Sequence, residues 1–212
     1  MYILACILIL SIHTIYFPHI TLSLYRYLHE LRVNINTSIT SIHSVNNTQN
    51  VEFPRVHPLY IGRPTQYGYI SEMEYPSHKK HILGVFTRIL KVDLFSKVVV
   101  GSIVLPDGCT TQEVIPVPRP VSGSGSGSGS GSDGSDNVYL VGFVFNEYTN
   151  IGELHVYDGY SMSQTPVTVL TVPGVRVPYG FHSEWLSEEQ LQTHLAQALG
   201  WQQVKSVMSK GE

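Results

Sequence analysis

Apolar and polar positions alternate along this chain in short beats. Leu24-Tyr25-Arg26-Tyr27-Leu28 changes face at every residue, the period-two pattern of a half-buried strand. Tyr67 to Glu72 predicts another strand, and Ile82 to Val92 is a longer apolar run with scattered polar residues. Asp93-Leu94-Phe95-Ser96-Lys97 has the composition of a turn and leads into Val98 to Leu105, so the two runs predict a hairpin ended by Pro106-Asp107-Gly108. Strands are also predicted at Asn137 to Phe145, at Glu153 to Asp158 with a turn at Gly159, and at Thr165 to Val172. Strands recurring roughly every ten residues suggest a sandwich, a barrel or a propeller. No blade motif recurs cleanly enough to choose among them.

One helix is predicted. Ser187-Glu188-Glu189-Gln190 reads as a capping box, with Ser187 as N-cap and Gln190 reaching back to it. Leu191, Leu195 and Leu199 give the helix an apolar face, Gly200 is placed to end it, and Lys205 to Glu212 is expected to fray.

Ser122 to Ser135 is a Gly/Ser repeat with nothing to bury, the composition of a flexible coil. Strand pattern resumes immediately after it, which favours a surface-loop insertion at 122–135 over a linker between domains. A long polar loop costs little extra closure entropy.

The first residues, up to Tyr25, are apolar and free of acids. A secretory signal would carry a basic residue before the apolar run, and none is present. Tyr2 to Ile12 is shorter than the roughly 20 residues a membrane-spanning helix needs. Residues 1–21 are therefore a segment of open status: a signal or anchor, a short buried strand, or an artefactual start. Asn36-Thr37-Ser38 and Asn46-Asn47-Thr48 match glycosylation acceptors, triplets that are common by chance.

Composition narrows the class. Apolar residues make up 42% of the 212 and charged residues 14%, which argues for a packed core. Thirteen Tyr, with many Val, Ile and Thr, favour strands. A formal net charge of −3 supplies no basic field for phosphate, so no nucleic-acid partner is expected. Cys6 and Cys109 form neither a metal-ligand spacing nor a disulfide framework.

Three segments hold candidate chemistry: Asn50-Val51-Glu52-Phe53-Pro54-Arg55-Val56-His57-Pro58, then Gly108 to Arg119 with Glu113, then Arg176-Val177-Pro178-Tyr179-Gly180-Phe181-His182-Ser183. Read singly, each is unremarkable in function. Glu52 suits an edge-strand acid facing solvent, Glu113 a surface acid, and His182 a core histidine with one hydrogen bond. Read together, they suggest more. A buried carboxylate needs a partner, a metal-ligating histidine usually gives its second N–H to one, and iron accepts imidazole nitrogen with carboxylate support behind it.

Val-Glu-Phe-Pro-Arg-Val-His-Pro-Leu-Tyr resembles the Glu-Phe-Pro segment of carotenoid cleavage oxygenases. The stretch from Glu153 to Leu191, with Val-Pro-Tyr-Gly-Phe-His as its most specific piece, resembles the C-terminal signature of that family. The resemblance runs from about Leu22 to Trp201. It implies an all-β fold, a partial seven-bladed β-propeller made of the C-terminal blades with a short C-terminal helix, over residues 22–207. It also implies Fe(2+) on the propeller axis, held by four histidines with three glutamates hydrogen-bonded behind them. On that reading His182 is the last metal ligand, and Glu52 and Glu113 are the second and third of the supporting acids. The first three histidines and the first glutamate of the family lie upstream of the matched region, and His13, His19, His29 and His43 lack their contexts. His57, in a His-Pro loop, is expected at the surface. Ser183 stands where the family commonly has Gly.

The implied function is Fe(II)-dependent dioxygenase cleavage of a conjugated carbon–carbon double bond in a carotenoid or apocarotenoid by O2. Peripheral membrane contact would serve uptake of so apolar a substrate. The expected location is the cytoplasm or a plastid in preference to secretion. With one ligand of four, the chain alone is expected to be inactive. Two other readings stay open: a non-catalytic propeller fragment retained as a binding module, and a secreted or membrane-attached β-protein.

Overall fold

Alternation and turn chemistry fold the described residues into three antiparallel sheets that follow one another along the chain. The computed structural model describes residues 2–14, 23–34, 36–45, 48, 50–74, 84–120, 134–171 and 182–195. Most of the Gly/Ser repeat, the Val-Pro-Tyr-Gly-Phe run before His182, Leu199, Gly200 and the tail at 205–212 lie outside the described residues.

The first sheet holds β1 (Tyr2–Thr14), β2 (Ser23–Asn34) and β3 (Ile39–Ser44). The apolar opening run thus forms a strand paired along β2, with Tyr2 opposite Asn34 and Thr14 opposite Ser23. The second sheet is a meander of β4 (Val51–Val56), β5 (Tyr67–Glu74), β6 (Val85–Asp93) and β7 (Val98–Val104). The third holds β8 (Cys109–Thr110), β9 (Ile115–Pro118), β10 (Val138–Asn146), β11 (Ile151–Asp158) and β12 (Thr168–Thr171). None of the three closes on itself among the described residues.

Burial follows position. β5 is buried continuously from Gly68 to Ser71, as expected of a strand covered on both faces. On one face Ile70, Leu90 and Val92 meet Leu28 and Val45 of the first sheet's side. On the other, Tyr69, Ile89 and Ile103 meet Leu140, Val144 and Tyr157 of the third sheet. β10 instead alternates buried and open positions, so its sheet is covered on one face. Gly142 is required within it: a Cβ there would come within 2.8 Å of Val114, so glycine lets the segment entering β9 lie close against the strand.

The turn after β6 forms as its composition predicts. Asp93 Oδ1 accepts the amides of Phe95 and Ser96 at 2.9 Å each, and Lys97 takes the left-handed conformation that closes the turn. The capping box is also present at the start of a helix, α1, over 188–195. Ser187 N–H donates to Gln190 Oε1 at 2.8 Å, and Gln190 N–H donates to Ser187 Oγ at 3.2 Å.

His57 departs from expectation, being buried at 5% exposure. Its Nδ1 accepts the Leu59 amide at 3.1 Å, capping a 3-10 turn (Pro58–Tyr60), and its ring meets Tyr60 edge-on at 5.2 Å. The proline that makes the segment look like an open loop instead starts this turn, and the imidazole serves as its cap.

Candidate metal-supporting site

The site begins with an irregularity in β4. Glu52 pairs with Ser71 and Arg55 with Tyr69, so Phe53 and Pro54 together oppose Ile70. This is a β-bulge, and it accommodates both a proline without an N–H and Phe53 at φ +57°. The residues on either side of it reach different neighbours. Glu52 forms an ion pair with Arg26 of β2, while Arg55 turns toward Glu113.

Glu113 lies between β8 and β9. Just ahead of it, Thr111 N–H donates to Phe86 O and Thr111 Oγ to Phe143 O, both at 2.9 Å, and Gln112 O accepts the Ser71 hydroxyl. Just after it, Ile115 pairs with Val141. Tied on both sides, the Glu113 carboxylate is buried at 4% exposure, which overturns the reading as a surface acid.

Both of its oxygens are engaged. Oε1 accepts Arg55 Nε at 2.7 Å and lies 3.5 Å from His182 Nδ1; Oε2 accepts the Ser183 amide at 2.8 Å. Desolvation pushes the Glu113 carboxyl up, but hydrogen bonds from Arg55 and the Ser183 amide, the Arg55 charge and the His182 ring outweigh it. The net position is below the ordinary carboxylate range. The group is an anion at neutral pH.

The structure therefore brings together Glu113 and His182, residues distant in sequence, and adds two that the sequence did not single out. Arg55 binds Glu113 and also donates Nη2 to Ser183 O at 3.0 Å. Phe53 packs its ring edge-on to His182 at 5.7 Å and 88° and rests in turn on Phe86 at 5.1 Å. Neither has a sequence signal of its own: the bulge and the positive φ of Phe53 show only in the structure, and no spacing rule marks Arg55. Glu52 is not brought to His182 by any described contact, its partner being Arg26.

His182 is no core histidine: its side chain is 75% exposed. Nδ1 faces the carboxylate at 3.5 Å, and Nε2 is the ring nitrogen on the far side, where an imidazole can offer a lone pair to a metal. Iron fits that donor, but one imidazole is one corner of a coordination sphere. No group of three or more His, Cys, Asp or Glu able to hold a metal occurs among the described residues.

The mostly β architecture agrees with the comparisons with known proteins. The profile of the family described as retinal pigment epithelial membrane protein matches residues 16–187, and the chain belongs to that family, which includes the carotenoid cleavage dioxygenases. Among its curated relatives, carotenoid 9,10(9',10')-cleavage dioxygenase 1 of Pisum sativum is 33% identical over 78% of this chain, and that of Phaseolus vulgaris is 34% identical over the same share. The 9-cis-epoxycarotenoid dioxygenase NCED1, chloroplastic, of Oryza sativa subsp. japonica is 29% identical over 77%. The chain spans about 30% of the length of the first two and 24% of the third. Among solved structures, cobalt-substituted Synechocystis ACO superposes with a TM-score of 0.59 at 24% identity, over 76% of this chain and 30% of that one. An ACO/RPE65 chimera does so at 0.59 and 22%, with the same coverage. No helix among the described residues is long and apolar enough to cross a membrane.

Proposed function

We propose that this chain supplies the C-terminal blades and one iron ligand of an Fe(II)-dependent dioxygenase that cleaves a conjugated double bond of a carotenoid or apocarotenoid with O2. The three successive sheets are read as blades of a seven-bladed propeller over residues 22–207, with 122–135 as a loop insertion. His182 would hold the metal through Nε2. Glu113 would keep the ring's Nδ1–H directed away from the metal, and Glu52 would support a histidine outside this chain in the same way. When bound, the iron supplies the activation of O2. The chain's own part is to fix the angle of one ligand and to keep a negative charge behind it.

The observation that carries this reading is the Glu113–His182 pair, at 3.5 Å, inside the segment that matches the family. Several relatives act on carotenoids by name, which supports the substrate class, and two carry chloroplastic in their names, which supports a plastid location. Peripheral contact with a membrane would follow from so apolar a substrate. The chain by itself is inactive on this reading, because three ligands are lacking.

The test is iron content. A complete polypeptide containing this chain should purify with stoichiometric iron, and His182→Ala should remove most of it. Iron retained at full occupancy by the variant would end the proposal and leave the fragment as a binding module.

A further inference from the structure

We propose that Arg55 is a positioning residue for His182, acting through the carboxylate that the ring's Nδ1 faces and through the backbone of Ser183 that follows it. This rests on the reading of His182 as a ligand but goes beyond it, because it assigns the direction of the ring to a residue outside the ligand–carboxylate pair.

Three observations carry it. The first is a closed circuit. Arg55 Nε donates to Glu113 Oε1 at 2.7 Å, Glu113 Oε2 accepts the Ser183 amide at 2.8 Å, and Ser183 O accepts Arg55 Nη2 at 3.0 Å. Both backbone polar atoms of the residue next to His182 are thereby fixed by one guanidinium and the carboxylate it holds. The second is a shared atom. The oxygen that Arg55 Nε binds is the one facing His182 Nδ1, so Arg55 sets where that oxygen lies. The third is what else holds the ring. The His182 side chain is 75% exposed, and its described ring contact is Phe53, itself two residues from Arg55 on the same bulged strand. Packing on one edge restrains a ring's position more than its rotation. The polar circuit supplies the rotational restraint.

The fork of the guanidinium is essential here, and charge alone is insufficient. Nε and Nη2 address a carboxylate and a carbonyl in fixed relative geometry, while Nη1 lies 3.5 Å from the Glu184 carboxylate. A lysine ammonium at this position is a single point on a flexible stem and reaches one acceptor or the other.

The experiment uses the 212-residue chain, without metal, as wild type, Arg55→Gln and Arg55→Lys. Imidazole nitrogen NMR reads the His182 tautomer and ring order, amide exchange reads Ser183, and amide dispersion reports the fold of each variant. The wild type should show a protonated Nδ1 and a protected Ser183 amide. Both variants should lose the Nδ1–H signature, and Ser183 exchange should accelerate on the order of ten- to a hundred-fold, the span expected when a charge-assisted circuit opens. A role in stability alone would shift the unfolding midpoint and leave these signals intact while the chain is folded. Unchanged His182 signals in a folded Arg55→Gln chain would overturn the proposal, as would full rescue by Arg55→Lys, which would make charge sufficient. Should Gln abolish folding, the lysine variant decides alone. These outcomes are independent of the iron measurement: loss of iron in His182→Ala beside unchanged rings in the Arg55 variants would remove this inference and leave the ligand in place.

Discussion

Two charged clusters join the second and third sheets, and they differ in one respect. In the first, Lys91 of β6 meets Asp136 at 2.8 Å and donates to Tyr160 O at 3.1 Å, with the Tyr67 ring 4.2 Å from its ammonium. Both side chains are sealed, at 7% and 4% exposure. In the second, Arg55 meets Glu113 at 2.7 Å, and the cluster ends in an imidazole that is 75% exposed. The sealed cluster satisfies its charges internally and acts as architecture. The open one ends on a side chain that stands largely exposed. A polar group held in place and left open among the described residues is a candidate site, whereas a polar group held in place and enclosed is a joint.

Breaking the joint should have the largest effect. Asp136→Ala leaves the Lys91 ammonium buried without its counter-charge, and the expected loss is about 3–5 kcal/mol in urea unfolding. Lys91→Met combined with Asp136→Leu removes both charges and should recover most of that loss. A single variant costing less than about 1 kcal/mol would mean that the cluster is wet, and the contrast with the open cluster would lapse.

The open cluster should respond less to mutation and more to pH. Glu113→Gln keeps the shape but places an amide N–H₂ against Arg55 or the Ser183 N–H, at a cost of about 1.5–3 kcal/mol at neutral pH. Because the folded carboxyl lies below its ordinary value near 4.5, its contribution is complete above that value and fades as pH falls through the lower, folded one. Glu30, Asp93 and Asp158 are lowered too, so the informative quantity is wild type minus Glu113→Gln. That difference should shrink steadily below about pH 4.5. A difference independent of pH would show that packing, and not the anion, is what Glu113 contributes.

The same contrast explains what could be read from the sequence. Local grammar revealed the hairpin at Asp93–Lys97, the strands around Val141 and Val156, and the Ser187–Gln190 box, because each is decided by neighbours a few residues apart. β3 and the split of β8 from β9 were not legible. β3 is exposed almost throughout and carries little pattern, and Pro116 and Pro118 mask a strand that nonetheless pairs with β10. Family resemblance singled out Glu113 and His182, and the residues alone did not. Arg55 was invisible because its partners lie 58 and 128 residues away, a distance at which spacing carries no information. Proline beside His57 suggested exposure where tertiary packing enclosed the ring.

A smaller perturbation separates the circuit from the helix that follows it. Ser187→Ala removes a cap and should fray α1 at about 1 kcal/mol, visible as lost ellipticity at the helix wavelength. If Arg55 and Glu113 hold the His182 segment, the Ser183 amide stays protected in this variant. Faster exchange at Ser183 together with fraying would transfer that role to the helix.

The smallest effect concerns the sealed cluster and the chain that leads into it. Arg119 N–H donates to Asn137 O at 3.2 Å, Ser135 Oγ accepts the Tyr67 amide at 3.0 Å, and Asp136 is held by Lys91, so both ends of the Gly/Ser tract are tied independently of what lies between. Under that arrangement the tract enters stability only through closure entropy, which changes by about 0.6 kcal/mol for each factor of two in loop length. Halving it should stabilise the chain by about that amount, and the protection of the Ser183 amide should not move. A loss of stability instead would mean that the tract's residues make contacts of their own, and that the Lys91–Asp136 joint depends on them to stay sealed.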